Sequence, residues 1–181
     1  MKKLICALLA AATLFCLTGC GQYVKYDESG YFTAPDGSFK IEYTENFKQQ
    51  KETGDSYIIV EWKKKELSLQ ACRISKSLDV ISVNNVQTLD EFIDLYRKQA
   101  LSFLEVNSTF DELKDAEGFD QFLAAKMQDV QTRERADIIE SFLVYAETDT
   151  DFYVIYSNGD EMSFLNNYDA MLDMAKSIVV K

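Results

Sequence analysis

Histidine is absent from these 181 residues, and that absence limits the chemistry the rest can do. It removes His-based zinc sites, Ser-His-Asp and Cys-His catalysis, and an imidazole pH switch. No Cys-x-x-Cys occurs, so a redox motif and a thiolate zinc site are both excluded. No Ser-x-x-Lys occurs, and the seven glycines are scattered, so no phosphate-binding loop is present. Glu147-Thr148-Asp149-Thr150-Asp151 offers three carboxylates at spacing two. An EF-hand starting at Glu147 needs Gly at its sixth position and Glu at its twelfth, where this chain has Phe152 and Asn158. The run reads as a solvated turn, with a weak cation site at Asp149 and Asp151 as the alternative. Cys72 lies in an apolar run and reads as a buried structural thiol; Arg73, adjacent in sequence, points to the opposite strand face. Arg133-Glu134-Arg135 and Lys63-Lys64-Lys65 read as solvated turns, the latter with anionic headgroups as the alternative. Two of the 30 acidic residues could form a glycosidase-type pair, but spacing selects none. No catalytic residue, metal ligand or cofactor site is therefore expected.

One cysteine carries a more specific chemistry. Met1-Lys2-Lys3 is followed by an apolar stretch from Leu4 to Leu17 and then by Leu17-Thr18-Gly19-Cys20. The stretch is short for a transmembrane helix and the right size for the core of a signal peptide. The four-residue ending resembles a bacterial lipobox. Small residues admit the peptidase, and the Cys20 thiol is the nucleophile that takes a diacylglyceryl group. The expectation is a lipoprotein signal peptide over 1–19, a lipidated Cys20 with a short tether over 20–30, and one domain over 31–181. Two acyl chains meet the two-signal rule for stable anchoring, so the expected location is the extracytoplasmic face of a cell membrane. Cleavage removes Cys6 and Cys16 and leaves Cys72 with no partner for an internal disulfide.

The elements follow from periodicity. Pro35-Asp36-Gly37 is a turn: Pro presets φ and Gly accepts positive φ. Phe39, Ile41 and Tyr43 then alternate with Lys40 and Glu42 in a strand. Residues 57–62 and 67–74 form further strands, with 63–66 as a charged hairpin tip. Thr88-Leu89-Asp90-Glu91 is a capping box. It opens a helix over about 89–105, whose stripe is Leu89, Phe92, Ile93, Tyr96, Ala100, Phe103 and Leu104. Residues 106–118 have no clear period, and 122–131 read as a strand. Residues 138–147 and 152–156 are apolar on both faces, with Ile138, Phe142 and Val144 on one and Ile139, Leu143 and Tyr145 on the other. Such strands need cover on both sides. A last helix is expected over 166–179, with Tyr168, Met171, Leu172, Ala175 and Ile178 on one face. The fold class is α+β: a sandwich of helical or coil layers about a mainly antiparallel sheet.

This order resembles the photosystem II PsbP / Mog1-like superfamily over about residues 31–180. The residues concerned are Phe39-Lys40-Ile41-Glu42-Tyr43 after the Asp-Gly turn, then Glu45-Asn46-Phe47, and the helix opening Thr88-Leu89-Asp90-Glu91-Phe92. Thr44 stands where the family often has proline. The resemblance implies an αβα sandwich and a binding or assembly role, and it transfers no functional residue. Together with the anchor it implies a non-catalytic lipoprotein that binds or helps assemble another envelope protein. Binding of a small ligand or cation, and a carboxylate-based hydrolase, are the alternatives. The formal charge of −11 argues against nucleic acid as a partner.

Overall fold

The computed structural model describes residues 30–34, 36–42, 48–54, 57–99, 110–113, 125–134 and 137–180. The expected signal segment, Cys20, most of the tether, Pro35, Tyr43 to Phe47, Ala100, Phe103, Leu104 and Arg135 lie outside the described residues, as do the side chains of Ile138 and Ile139.

Among the described residues ten strands pair antiparallel in two sheets. The small sheet holds β1 (Tyr31–Thr33), β2 (Phe39–Glu42) and β10 (Val179–Val180), with β2 in the middle. The large sheet runs β3 (Lys48–Gly54), β4 (Tyr57–Lys64), β5 (Leu67–Ser75), β9 (Asp151–Asp160), β8 (Asp137–Glu147), β7 (Ala125–Glu134) and β6 (Phe110–Leu113). Its central strands are buried on both faces, as their composition requires. On one face Ala71, Phe142, Val144, Tyr153 and Ile155 pack with Phe39 and Ile41 of the small sheet. The helices α3 (Glu161–Leu165) and α4 (Tyr168–Lys176) complete that layer. On the other, Cys72, Ile74, Leu143, Tyr145, Phe152 and Val154 pack under α1 (Asp79–Val83) and α2 (Leu89–Gln99).

The capping box forms as expected. Glu91 Oε2 accepts from the amides of Gln87 (2.8 Å) and Thr88 (3.1 Å), while Thr88 Oγ1 accepts from the Glu91 amide (3.4 Å). Phe92 then stacks on Phe152, with ring centroids 4.4 Å apart. The Asp36-Gly37 turn also forms: Gly37 takes φ +71°, and Asp36 accepts from the Ser38 amide and hydroxyl at 3.0 and 2.7 Å.

Four expectations need correction. Helices and coil alone do not cover the sheet: part of one face is covered by the small sheet, whose Phe39 and Phe32 pack edge-on to Tyr153 and Trp62. The helix expected over 166–179 is confined to α4 (Tyr168–Lys176), Val179 belongs to β10, and the short helix α3 before it has no counterpart in the sequence reading. Asn167 Nδ2 donates to the Ser163 carbonyl (2.7 Å) between α3 and α4, as Asn does when it competes with the backbone. Ser177 Oγ donates to Met174 O (2.7 Å) and accepts from the Glu42 amide (2.8 Å), which ends α4 and ties it to β2. The expected tip at 63–66 shrinks to Lys65-Glu66, with Lys65 at φ +56°. Lys63 and Lys64 belong to β4, and Lys63 pairs with Glu61 at 3.1 Å. Lastly, β3 (KQQKETG) and α1 have no counterpart in the sequence reading. The first is recruited by backbone pairing with β4, and the second is too short to display a period.

Candidate functional site

The carboxylates at 147, 149 and 151 diverge. Glu147 shares a sheet face with Phe152 and pairs with Lys76 at 3.1 Å. Asp151 lies on the opposite face, opposite Ser75 in register, with Arg73 at 3.8 Å, and it accepts from Thr150 Oγ1 at 2.6 Å. Asp149 is exposed. The alternation of a strand thus separates two of the three acids, and each faces a cation. Among the described residues no group of three or more Cys, Asp or Glu is placed to hold a metal ion.

Arg73 does point away from Cys72, and its role is a cross-link. Its guanidinium lies 2.8 Å from Asp36 and 3.8 Å from Asp151, so it joins the β1–β2 turn to the large sheet. Burial tends to raise the Asp36 carboxyl, but the Ser38 hydrogen bonds and Arg73 together hold it below its usual range. Burial, helped by Asp151, pushes the neighbouring Tyr153 phenol up to about 12. Sequence reasoning saw Asp36 only as a turn residue; the contact depends on how the two sheets stack.

On the face that carries α1 and α2, the large sheet has a buried polar band. Glu61, Ser68, Gln70 and Ser141 are all under a tenth exposed. Glu61 accepts from Ser68 Oγ (2.9 Å) and pairs with Lys63. Cys72 donates to Gln70 Oε1 at 3.6 Å, and burial, reinforced by Glu61, pushes its thiol up, so it is held protonated rather than as a nucleophilic thiolate. Tyr96 and Tyr145 meet edge-to-face at 5.8 Å, and burial raises both phenols. Among the described residues their hydroxyls and that of Ser141 have no hydrogen-bond partner. The arrangement supplies hydrogen-bond donors and a carboxylate already committed to a lysine. The sequence carried a signal for it: Glu61 and Gln70 interrupt apolar strands, and they face each other in register.

The outer surface offers a different feature. Met162 and Leu165 of α3 are 65% and 61% exposed, and Val83 of α1 is 79% exposed on the opposite side of the sheet. Among the described residues no large aromatic side chain is among the exposed apolar groups: Phe32, Phe39, Phe92, Phe142, Phe152 and Phe164 are all buried.

No family model and no curated protein matches the chain. Among solved structures it is similar to the cyanobacterial PsbP protein (CyanoP) of Synechocystis sp. PCC 6803, with TM-score 0.57, 8% identity, and coverage of 92% of this chain and 99% of that one. The fold is PsbP-like. A crystal structure from Bacteroides thetaiotaomicron VPI-5482 matches with TM-score 0.48 and 8% identity over 84% of this chain, which spans about half (48%) of that one. LpqN of Mycobacterium tuberculosis, described as involved in cell envelope biogenesis, matches with TM-score 0.47 and 8% identity over 88% of this chain and 90% of that one. At those scores neither bears on function.

Proposed function

We propose that the chain is a lipid-anchored, extracytoplasmic binding module that engages another protein of the cell envelope and does no chemistry of its own. The observation that carries this reading is the exposed pair Met162 and Leu165 on a helix whose Phe164 is locked into the core. Apolar side chains grouped on a surface favour a protein contact. The lipobox-like ending at Cys20 supplies the anchor, and a tether of about ten residues keeps the body within roughly 33–36 Å of the bilayer. The PsbP-like fold agrees with a binding role, and the ion pairs of Glu61, Glu147 and Asp151 commit those acids to structure.

Two measurements test the reading. Cys20→Ala should leave the precursor uncleaved and unlabelled by a fatty-acid probe; continued labelling removes the anchor. A photo-crosslinking side chain placed across the surface of the full chain in intact cells should trap one envelope protein. Absence of any trapped partner removes the binding role. A second reading, small-ligand binding, is favoured by the unpartnered hydroxyls of Tyr96, Tyr145 and Ser141. It requires the cover on that face to open, because those atoms are fully enclosed.

A further inference from the structure

We infer that the surface of α3 and α4 docks a protein segment whose apolar side chains are flanked by lysine or arginine; this rests on the envelope-binding reading above. Met162 and Leu165 stand three residues apart, so they share one side of α3. Phe164 lies in the core, with its ring 5.6 Å from Tyr168 and 6.1 Å from Phe142. The helix therefore cannot roll to hide the exposed pair. Glu161 is exposed beside them, and Asp169 and Asp173 are exposed one turn apart on α4. From Asp160 to Lys176 the chain carries four carboxylates and one lysine.

These acids, like the exposed Asp79, Asp94 and Asp149, differ from those that face a cation. Asp36, Glu61, Glu147 and Asp151 each face a cation, and Asp90 pairs with Lys126. Glu161, Asp169 and Asp173 take part in no ion pair among the described residues. Their field is left for a partner to complement. Exposed pairs at a rim add little affinity but set encounter rate and specificity, while the apolar centre carries the energy. The charge also selects among occupants. An anionic leaflet repels this surface. A second copy in a twofold interface would bring the same acids against themselves. A cationic, apolar protein segment meets both requirements.

The test uses the full chain in nanodiscs of phosphatidylcholine. The probe is a fluorescent synthetic helix with a leucine face flanked by lysines, set against the same helix with glutamates. The lysine helix should bind, and binding should weaken with salt. It should fall roughly tenfold or more in Met162→Ser/Leu165→Ser, and also in Glu161→Lys/Asp169→Lys. Val83→Ser should leave it unchanged. Equal binding of the glutamate helix, or binding indifferent to both double variants, overturns the inference. So does self-association, or binding to phosphatidylglycerol vesicles, that depends on Met162 and Leu165. In intact cells, a crosslinker at 162 or 165 should trap the partner. Trapping only from position 83 overturns this surface and leaves the binding role standing, whereas no trapping from any position overturns both.

Discussion

Phe92 and Tyr96 show what a single residue contributes. Phe92 is fully buried and stacks on Phe152, so its removal forfeits both transfer energy and an aromatic pair. Phe92→Ala is expected to cost about 3–5 kcal/mol in chemical denaturation; a loss below about 1 kcal/mol would mean the stripe does not bear on the core. Tyr96 is equally buried, but its hydroxyl has no partner. An enclosed, unmade hydrogen bond costs about 1–3 kcal/mol, so Tyr96→Phe should match or exceed the parent stability. A clear loss would show that the hydroxyl is satisfied in solution. Both aromatic positions were legible from the 3–4 spacing. The unpartnered hydroxyl was not, because it depends on which groups of β5, β8 and β9 lie beneath the helix.

At the scale of the element, α2 is set by its first turn. Hydrogen bonds from the Gln87 amide, then the Thr88 amide, hold the Glu91 carboxyl below its ordinary value of 4.5. A depressed carboxyl contributes stability that is present above its unfolded value and lost as pH falls through the folded one. Glu91→Ala should therefore lower the melting temperature at neutral pH. The gap between variant and parent should close as the pH falls below 4.5 and through the lowered folded value. A gap that persists in acid would assign the effect to packing instead. The motif was readable because it is local: Thr88 and Glu91 are three residues apart. The short helix α3 was not read, because five residues display no period, and the end of α4 was not read, because the apolar spacing of 168–178 continues across Ser177, where the backbone is diverted.

For the molecule as a whole, the Arg73 cross-link joins two sheets. Arg73→Leu should release the small sheet, so amide exchange in β1 and β2 should quicken while β5 and β9 stay protected. Uniform acceleration would instead mark a global loss of stability. The sequence by itself determined the features that depend on neighbours along the chain. These are the capping box, the Asp36-Gly37 turn, the doubly apolar central strands and hence a covered antiparallel sheet. It also removed histidine chemistry outright, and it placed Cys72 and Arg73 on opposite faces, because strand alternation requires that. Tertiary structure alone decided the rest. It split the strands into two sheets, because β2 pairs with β10 from the far end of the chain. It drew the polar β3 into the large sheet by backbone bonds that have no side-chain signature. It sent Glu147 and Asp151 to different cations, and it left Met162 and Leu165 in solvent while Phe164 entered the core. Each of these outcomes depends on contacts between residues distant in sequence, and no local spacing encodes such contacts.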